Sequence, residues 1–161
     1  MLTNEHTILV LGLGNILLTD EAVGVRVVEA LSEKPEIDQL GVKLMDGGTM
    51  GLSLLVEMED SDALVIIDAA LVDGPPGTIE VFEGEAMDHF LRHRGRSPHD
   101  IGLDDILDGL RLREAVPEHR ALIGIRPAVL TVGEELTPAV EGAVTAAVQS
   151  VIDLIIRWKQ I

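Results

Sequence analysis

Polar and apolar residues alternate along this chain in two distinct periods, and the switches between them outline the fold. Thr7 to Leu13 (TILVLGL) is a continuous apolar run closed by Gly14 and Asn15, the pattern of a strand buried on both faces. From Asp20 to Lys34 the period changes. Val23, Val27, Ala30 and Leu31 recur at helical spacing, with Arg26, Glu29 and Glu33 between them, which predicts an amphipathic helix with Glu21 in its first turn. Gly41 to Met45 predicts a short strand that runs into Asp46-Gly47-Gly48, and Gly51 to Met58 a short helix. Ala63 to Ala70 (ALVIIDAA) is the clearest buried strand, and it carries one charge, Asp68, near its C-terminal end.

Downstream, DGPPG at Asp73 to Gly77 predicts a turn, and Thr78 to Phe82 alternates as a further strand at an edge. Ser97-Pro98-His99-Asp100 has the order of a helix start: a capping serine, proline at the first helical position and an acid three residues after the cap. His99 then falls in the first turn. Arg120 to Ile125 predicts the last strand. Pro138 to Lys159 predicts a long closing helix, with Val140, Val144, Ala147, Val148, Val151, Ile155 and Trp158 on one stripe. Strands alternating with helices predict an α/β fold: a single domain over residues 1–161, built on a mostly parallel twisted sheet with helices on both faces.

Composition sharpens this outline. Apolar residues make up 47% of the chain and aromatics only 2%, so the core rests on Val, Ile, Leu and Ala, as in buried parallel sheets. Twenty-eight acidic against twelve basic residues give a formal charge of −16, which repels nucleic-acid phosphates and anionic lipid. A basic partner would be attracted. The absence of cysteine excludes disulfides, thiolate metal sites and a cysteine nucleophile. The N-terminus lacks a basic leader region, and its apolar run is too short to span a membrane. The expectation is a cytoplasmic monomer.

Ligands of open α/β sheets bind beyond the carboxyl ends of the strands, where loops and helix starts converge. Glu21, Asp46 and Asp68 are delivered to that edge, and His99 sits at another helix start. Each has an ordinary explanation: Asp20 and Glu21 are acids of the kind the helix dipole favours in a first turn, Asp46 before two glycines forms turns, and a helix-start histidine decorates a surface. Asp68 is harder to dismiss. An ionised carboxylate in a buried strand costs several kcal/mol unless it is paired, hydrogen-bonded or metal-bound. Two carboxylates and an imidazole in one crevice would make an open site of O and N donors, suited to a borderline divalent ion such as nickel or zinc. The sequence has no HExxH, G-x-S-x-G or G-x-x-x-x-G-K. A dinucleotide pattern starts at Gly12 and Gly14 but has Leu17 in place of its third glycine, and Asp20-Glu21 would face a pyrophosphate.

The stretches GLGNILLTDEAVGVRVVEAL, MDGGTMG, VIIDA and SPHDIGL, in that order, resemble the maturation endopeptidases that process the large subunit of [NiFe] hydrogenases. The resemblance runs from about Ile8 to Arg126. It implies a cytoplasmic endopeptidase, sometimes grouped with aspartyl proteases, that removes a C-terminal extension from the large-subunit precursor after nickel insertion. It also implies that Glu21, Asp68 and His99 contact the nickel, which the substrate supplies, and that zinc or cadmium would fit the same site. By the same resemblance Asp46-Gly47-Gly48 is a substrate-contact loop. Two alternatives use the same crevice: a nucleotide-binding α/β module and a non-catalytic nickel chaperone.

Overall fold

The computed structural model describes residues 1–48, 51–93 and 103–160, with the backbone alone for Leu52. Its five strands are β1 (Ile8–Leu13), β2 (Val42–Gly48), β3 (Ala63–Ala69), β4 (Ile79–Glu83) and β5 (His119–Ile125), in the spatial order β2-β1-β3-β5-β4. Four run parallel. The fourth in sequence, β4, pairs antiparallel with β5 at the edge. The helices are α1 (Val23–Ser32), α2 (Pro35–Leu40), α3 (Leu54–Glu59), α4 (Glu85–His93), α5 (Leu103–Leu112), α6 (Pro138–Glu141) and α7 (Val144–Lys159).

Alternating strand residues feed two cores, because successive side chains of a strand point to opposite faces. On one face Ile8, Val10, Val65, Ile67, Ala121 and Ile123 pack with apolar residues of α1, α2, α6 and α7. On the other, Leu9, Leu11, Leu64, Ile66 and Leu122 pack with α3, α4 and α5. The central strands are therefore apolar at nearly every position, and helices cover both faces as the unbroken runs required.

The elements depart from the sequence reading in a few places. The expected helix from Asp20 begins instead as a 3₁₀ turn, Thr19–Ala22, before α1. Thr19 there has φ 49°, outside the α region, so the α-helix starts only after this turn. The expected continuous helix from Pro138 is two helices, α6 and α7, interrupted at Gly142 and Ala143; glycine is among the weakest helix formers. Two further helices were not expected. The first, α2, opens with Pro35 at its N-terminus and ends at the left-handed Gly41, while α4 buries Met87, Phe90 and Leu91. The expected helix start at Ser97-Pro98-His99 lies outside the described residues, as does His99 itself. The apolar stretch of residues 138–159 is a core element: Val140, Ala147, Val151 and Ile155 are fully buried.

Candidate active site at the strand switch point

From β1 the chain passes to β2 on one side, whereas β3 flanks β1 on the other. Loops leaving β1 and β3 therefore diverge, and the gap between them is the topological switch point where open α/β sheets bind ligands. Glu21 follows β1 and Asp68 is the penultimate residue of β3. Both belong to this gap.

Close backbone approaches hold them there. A Cβ on Gly24, at the start of α1, would lie 2.1 Å from the Ile67 carbonyl oxygen and 2.5 Å from that of Leu13. The helix start thus rests directly on the carboxyl ends of β1 and β3, one turn beyond Glu21. A Cβ on Gly14 would lie 1.7 Å from the Glu21 carbonyl oxygen, and Gly14 adopts φ 127°. The glycine turn is filled by the chain's own backbone where a nucleotide fold would seat a phosphate. Glu21 is 3% exposed and Asp68 6%. Asp68 follows Ile66 by two residues, so its side chain leaves the sheet on the face covered by α3, α4 and α5.

Asp20, adjacent to Glu21, has a different task. It is fully buried, and its Oδ2 accepts the backbone N–H groups of Ala128 and Val129, both at 2.9 Å. Its Oδ1 accepts the Thr137 N–H at 2.7 Å, and the Thr137 hydroxyl donates at 2.8 Å to Oδ2. Burial alone would raise its pKa, but these donors carry the carboxyl below its ordinary value. Leu17, Thr19 and Asp20 also exchange backbone hydrogen bonds with Val129 and Gly133. The loop of residues 128–137 is thereby sewn onto the segment that carries Glu21. Sequence reasoning gave Asp20 only a helix-dipole role; partners more than a hundred residues away leave no local signal.

The Asp46-Gly47-Gly48 segment ends β2 beside Gly12 and Leu13 of β1. Asp46 is exposed and its Oδ1 accepts the Gly48 N–H at 2.9 Å, the geometry of an Asx turn. The Gly48 carbonyl in turn accepts the Gly14 N–H at 3.0 Å, joining this loop to the glycine turn after β1. Gly47 is enclosed, since a Cβ there would lie 2.8 Å from both Leu11 Cδ1 and Leu13 Cδ2. Among the described residues no three His, Asp or Glu side chains form a metal-holding group. The histidine expected as the third donor is outside them.

A family model described as HycI: Hydrogenase maturation protease matches residues 25–154. The chain is 41% identical over 146 residues to the Hydrogenase 2 maturation protease of Escherichia coli (strain K12), covering 90% of this chain and 88% of that one. It is 34% identical over 156 residues to the hydrogenase expression/formation protein HupD of Thiocapsa roseopersicina, covering 96% and 70%. Its fold superposes on the hydrogenase maturating endopeptidase HybD from E. coli with a TM-score of 0.82 at 40% identity, covering 94% and 92% of the two chains. It superposes on the [NiFe] hydrogenase maturation protease HybD from Thermococcus kodakarensis with a TM-score of 0.77 at 31% identity, covering 92% and 99%.

Proposed function

Since the chain belongs to the hydrogenase maturation protease family and is thus a hydrolase of the endopeptidase type, we propose that it removes the C-terminal extension of a [NiFe] hydrogenase large-subunit precursor. The cut follows nickel insertion, and the ion is carried by the substrate. Glu21 and Asp68 contact it together with His99, and Asp46-Gly47-Gly48 contacts the polypeptide. The reaction takes place in the cytoplasm, with a monomeric enzyme and no nucleic-acid or membrane partner.

One observation supports this reading: two nearly sealed carboxylates, Glu21 after β1 and Asp68 near the end of β3, belong to the carboxyl ends of the two strands that bound the switch point. Their oxygens suit a borderline divalent ion, and an imidazole beside them adds the nitrogen donor that nickel accepts well. Zinc and cadmium fit the same donors. Anchoring the nickel fixes the peptide bond near it, turning an encounter between two proteins into an oriented local reaction. Hydrolysis then adds water across one amide, leaving a new carboxyl terminus on the large subunit and a free amine on the released peptide. The self-filled turn at Gly14 disfavours the nucleotide-binding alternative.

Incubation with nickel-loaded precursor, followed by mass spectrometry of the C-terminal fragment, tests the proposal. The wild-type protein releases the fragment, whereas Asp68→Asn and His99→Ala, with unchanged circular dichroism, do not. Normal processing by both variants refutes the assigned residues. No fragment from the wild type, with nickel transferred all the same, favours the chaperone.

A further inference from the structure

A quarter of this chain's residues are charged, yet residues 15–19 (NILLT) and 127–133 (PAVLTVG) contain no charge at all. The fold lays these two segments side by side. Gly133 donates its N–H to the Leu17 carbonyl at 2.9 Å, and its own carbonyl accepts the Thr19 N–H at 2.9 Å, which makes a parallel bridge between Leu18 and Gly133. The Thr19 hydroxyl donates to the Thr131 carbonyl. The approach is close, since a Cβ on Gly133 would lie 2.7 Å from Thr19 Oγ1. At one end the Asp20 carboxylate holds the N–H groups of Ala128 and Val129; at the other, Asn15 Oδ1 accepts the Leu17 N–H at 2.9 Å.

On this tied backbone Ile16, Leu17, Val129 and Val132 are exposed, Val132 at 87%. The bonds make them neighbours: Val132 precedes the glycine that pairs with Leu17, and the Val129 carbonyl accepts the Asp20 N–H at 3.0 Å. Apolar side chains exposed singly are ordinary, as Leu112 is on α5, but several along one rim mark a surface that another molecule covers. The rim adjoins the candidate active site, because Glu21 follows Leu17 by four residues and is 3% exposed.

We propose that this rim docks an apolar, uncharged patch on the folded body of the large-subunit precursor, which is thus recognised by surface contact as well as through its ion. The inference rests on the peptidase reading given above. An ion held in a folded protein meets a carboxylate as buried as Glu21 only when the surface around that ion closes on the segments beside it, and these two are such segments. The centres of protein–protein interfaces are depleted in charge, as this rim is. A charged side chain of the partner set against it would lose water and gain no counter-charge. Since the backbone is already fixed by hydrogen bonds, docking costs little ordering. A second copy of this chain is a poorer occupant, because it would bring together two bodies of charge −16.

Leu17→Asp and Val132→Asp, one on each segment, test the proposal, with Leu112→Asp as a control of equal charge. Circular dichroism and thermal melts establish that each is folded; should Leu17→Asp fail to fold, Val132→Asp carries the test alone. By calorimetry, nickel-free precursor should bind the wild type and Leu112→Asp alike, and the rim variants at least tenfold more weakly. With nickel-loaded precursor, each rim variant should raise KM about tenfold and leave kcat near that of the wild type. Unchanged binding and KM in the rim variants, or an equal loss in Leu112→Asp, overturns the docking face while leaving the peptidase intact. A wild-type dimer in sedimentation that the rim variants dissociate makes the rim a contact between copies and overturns it too. A wild type that binds precursor through the rim but does not cut the loaded form refutes the peptidase reading and leaves the docking face standing, whereas one that does not bind nickel-free precursor overturns the face.

Discussion

Replacing Asp20 with asparagine removes one charge and one acceptor from a fully buried cluster without changing its shape. In the native protein the two carboxylate oxygens accept three backbone N–H groups, from Ala128, Val129 and Thr137, and the Thr137 hydroxyl. An asparagine can keep its carbonyl at either position but not both. With the oxygen retained toward Ala128 and Val129, the new NH₂ confronts the Thr137 N–H, and one buried donor loses its partner. An unsatisfied buried group costs about 1–3 kcal/mol, and losing the charge from the remaining bonds brings the total to roughly 2–4 kcal/mol. For a domain of this length that corresponds to a fall in Tm on the order of 5–12 °C. The pH dependence has a definite sign. The native pKa of Asp20 lies below its ordinary 3.8, so the stabilisation is complete above that value and is lost as pH falls through the lower native one. The gap between wild type and Asp20→Asn should therefore be constant near neutrality and close in strong acid. Urea denaturation at several pH values measures it, and hydrogen exchange at Ala128, Val129 and Thr137 localises it. A loss below about 0.5 kcal/mol, or unchanged protection at those amides, would refute the clamp.

Gly24→Ala should be severely damaging, because its Cβ would enter two strand carbonyls at once; strain of this kind exceeds about 3 kcal/mol, and soluble expression or urea denaturation would reveal it. Gly41→Ala meets no atom within 4 Å but holds φ 64°, so it should cost only about 1 kcal/mol in the same measurement. Asp88→Asn leaves Arg120, 14% exposed on its side chain, without its carboxylate, and should destabilise the link between α4 and β5 by about 2–3 kcal/mol. If thermal melts show no change, the pair is incidental.

The sheet was legible because its strands are buried on both faces: TILVLGL and ALVIID had to lie inside, and their lengths left few other arrangements. The antiparallel β4 was legible only as an alternating edge, since direction follows from the preceding turn and from pairing with β5. Two helices escaped notice although their signals were present, α2 in its proline start and glycine stop, α4 in the spacing of Met87, Phe90 and Leu91. At the site, Glu21 and Asp68 could be placed at one edge from strand ends alone. Asp20 could not be understood that way, because every side-chain donor to it comes from residues 128–137 and nothing local announces them.

The glycines near the N-terminus show why a motif half-matched a nucleotide fold and yet frames two acids. In a dinucleotide cradle the third glycine of the pattern exists so that the helix can pack closely on the strand. Leu17 stands at that place here, but the packing requirement has moved to Gly24, against which both Gly12 and the Ile67 carbonyl are pressed: a Cβ on Gly12 would lie 2.4 Å from the Gly24 oxygen. Shifting the contact glycine down the chain lets residues 15–22 form an excursion before the helix begins. That excursion is bonded to residues 128–137 through Thr19, Asp20 and Gly133, and its carbonyl at Glu21 fills the turn at Gly14. The same need for close backbone approach is met by a different spacing. What the shift creates is an anchored carboxylate beside the end of β3, where a cradle would have presented bare N–H groups to an anion. The acids at Glu21 and Asp68 thus invert the charge preference of the crevice while leaving the strand order, and with it the place where a ligand must bind, as any open α/β sheet would have it.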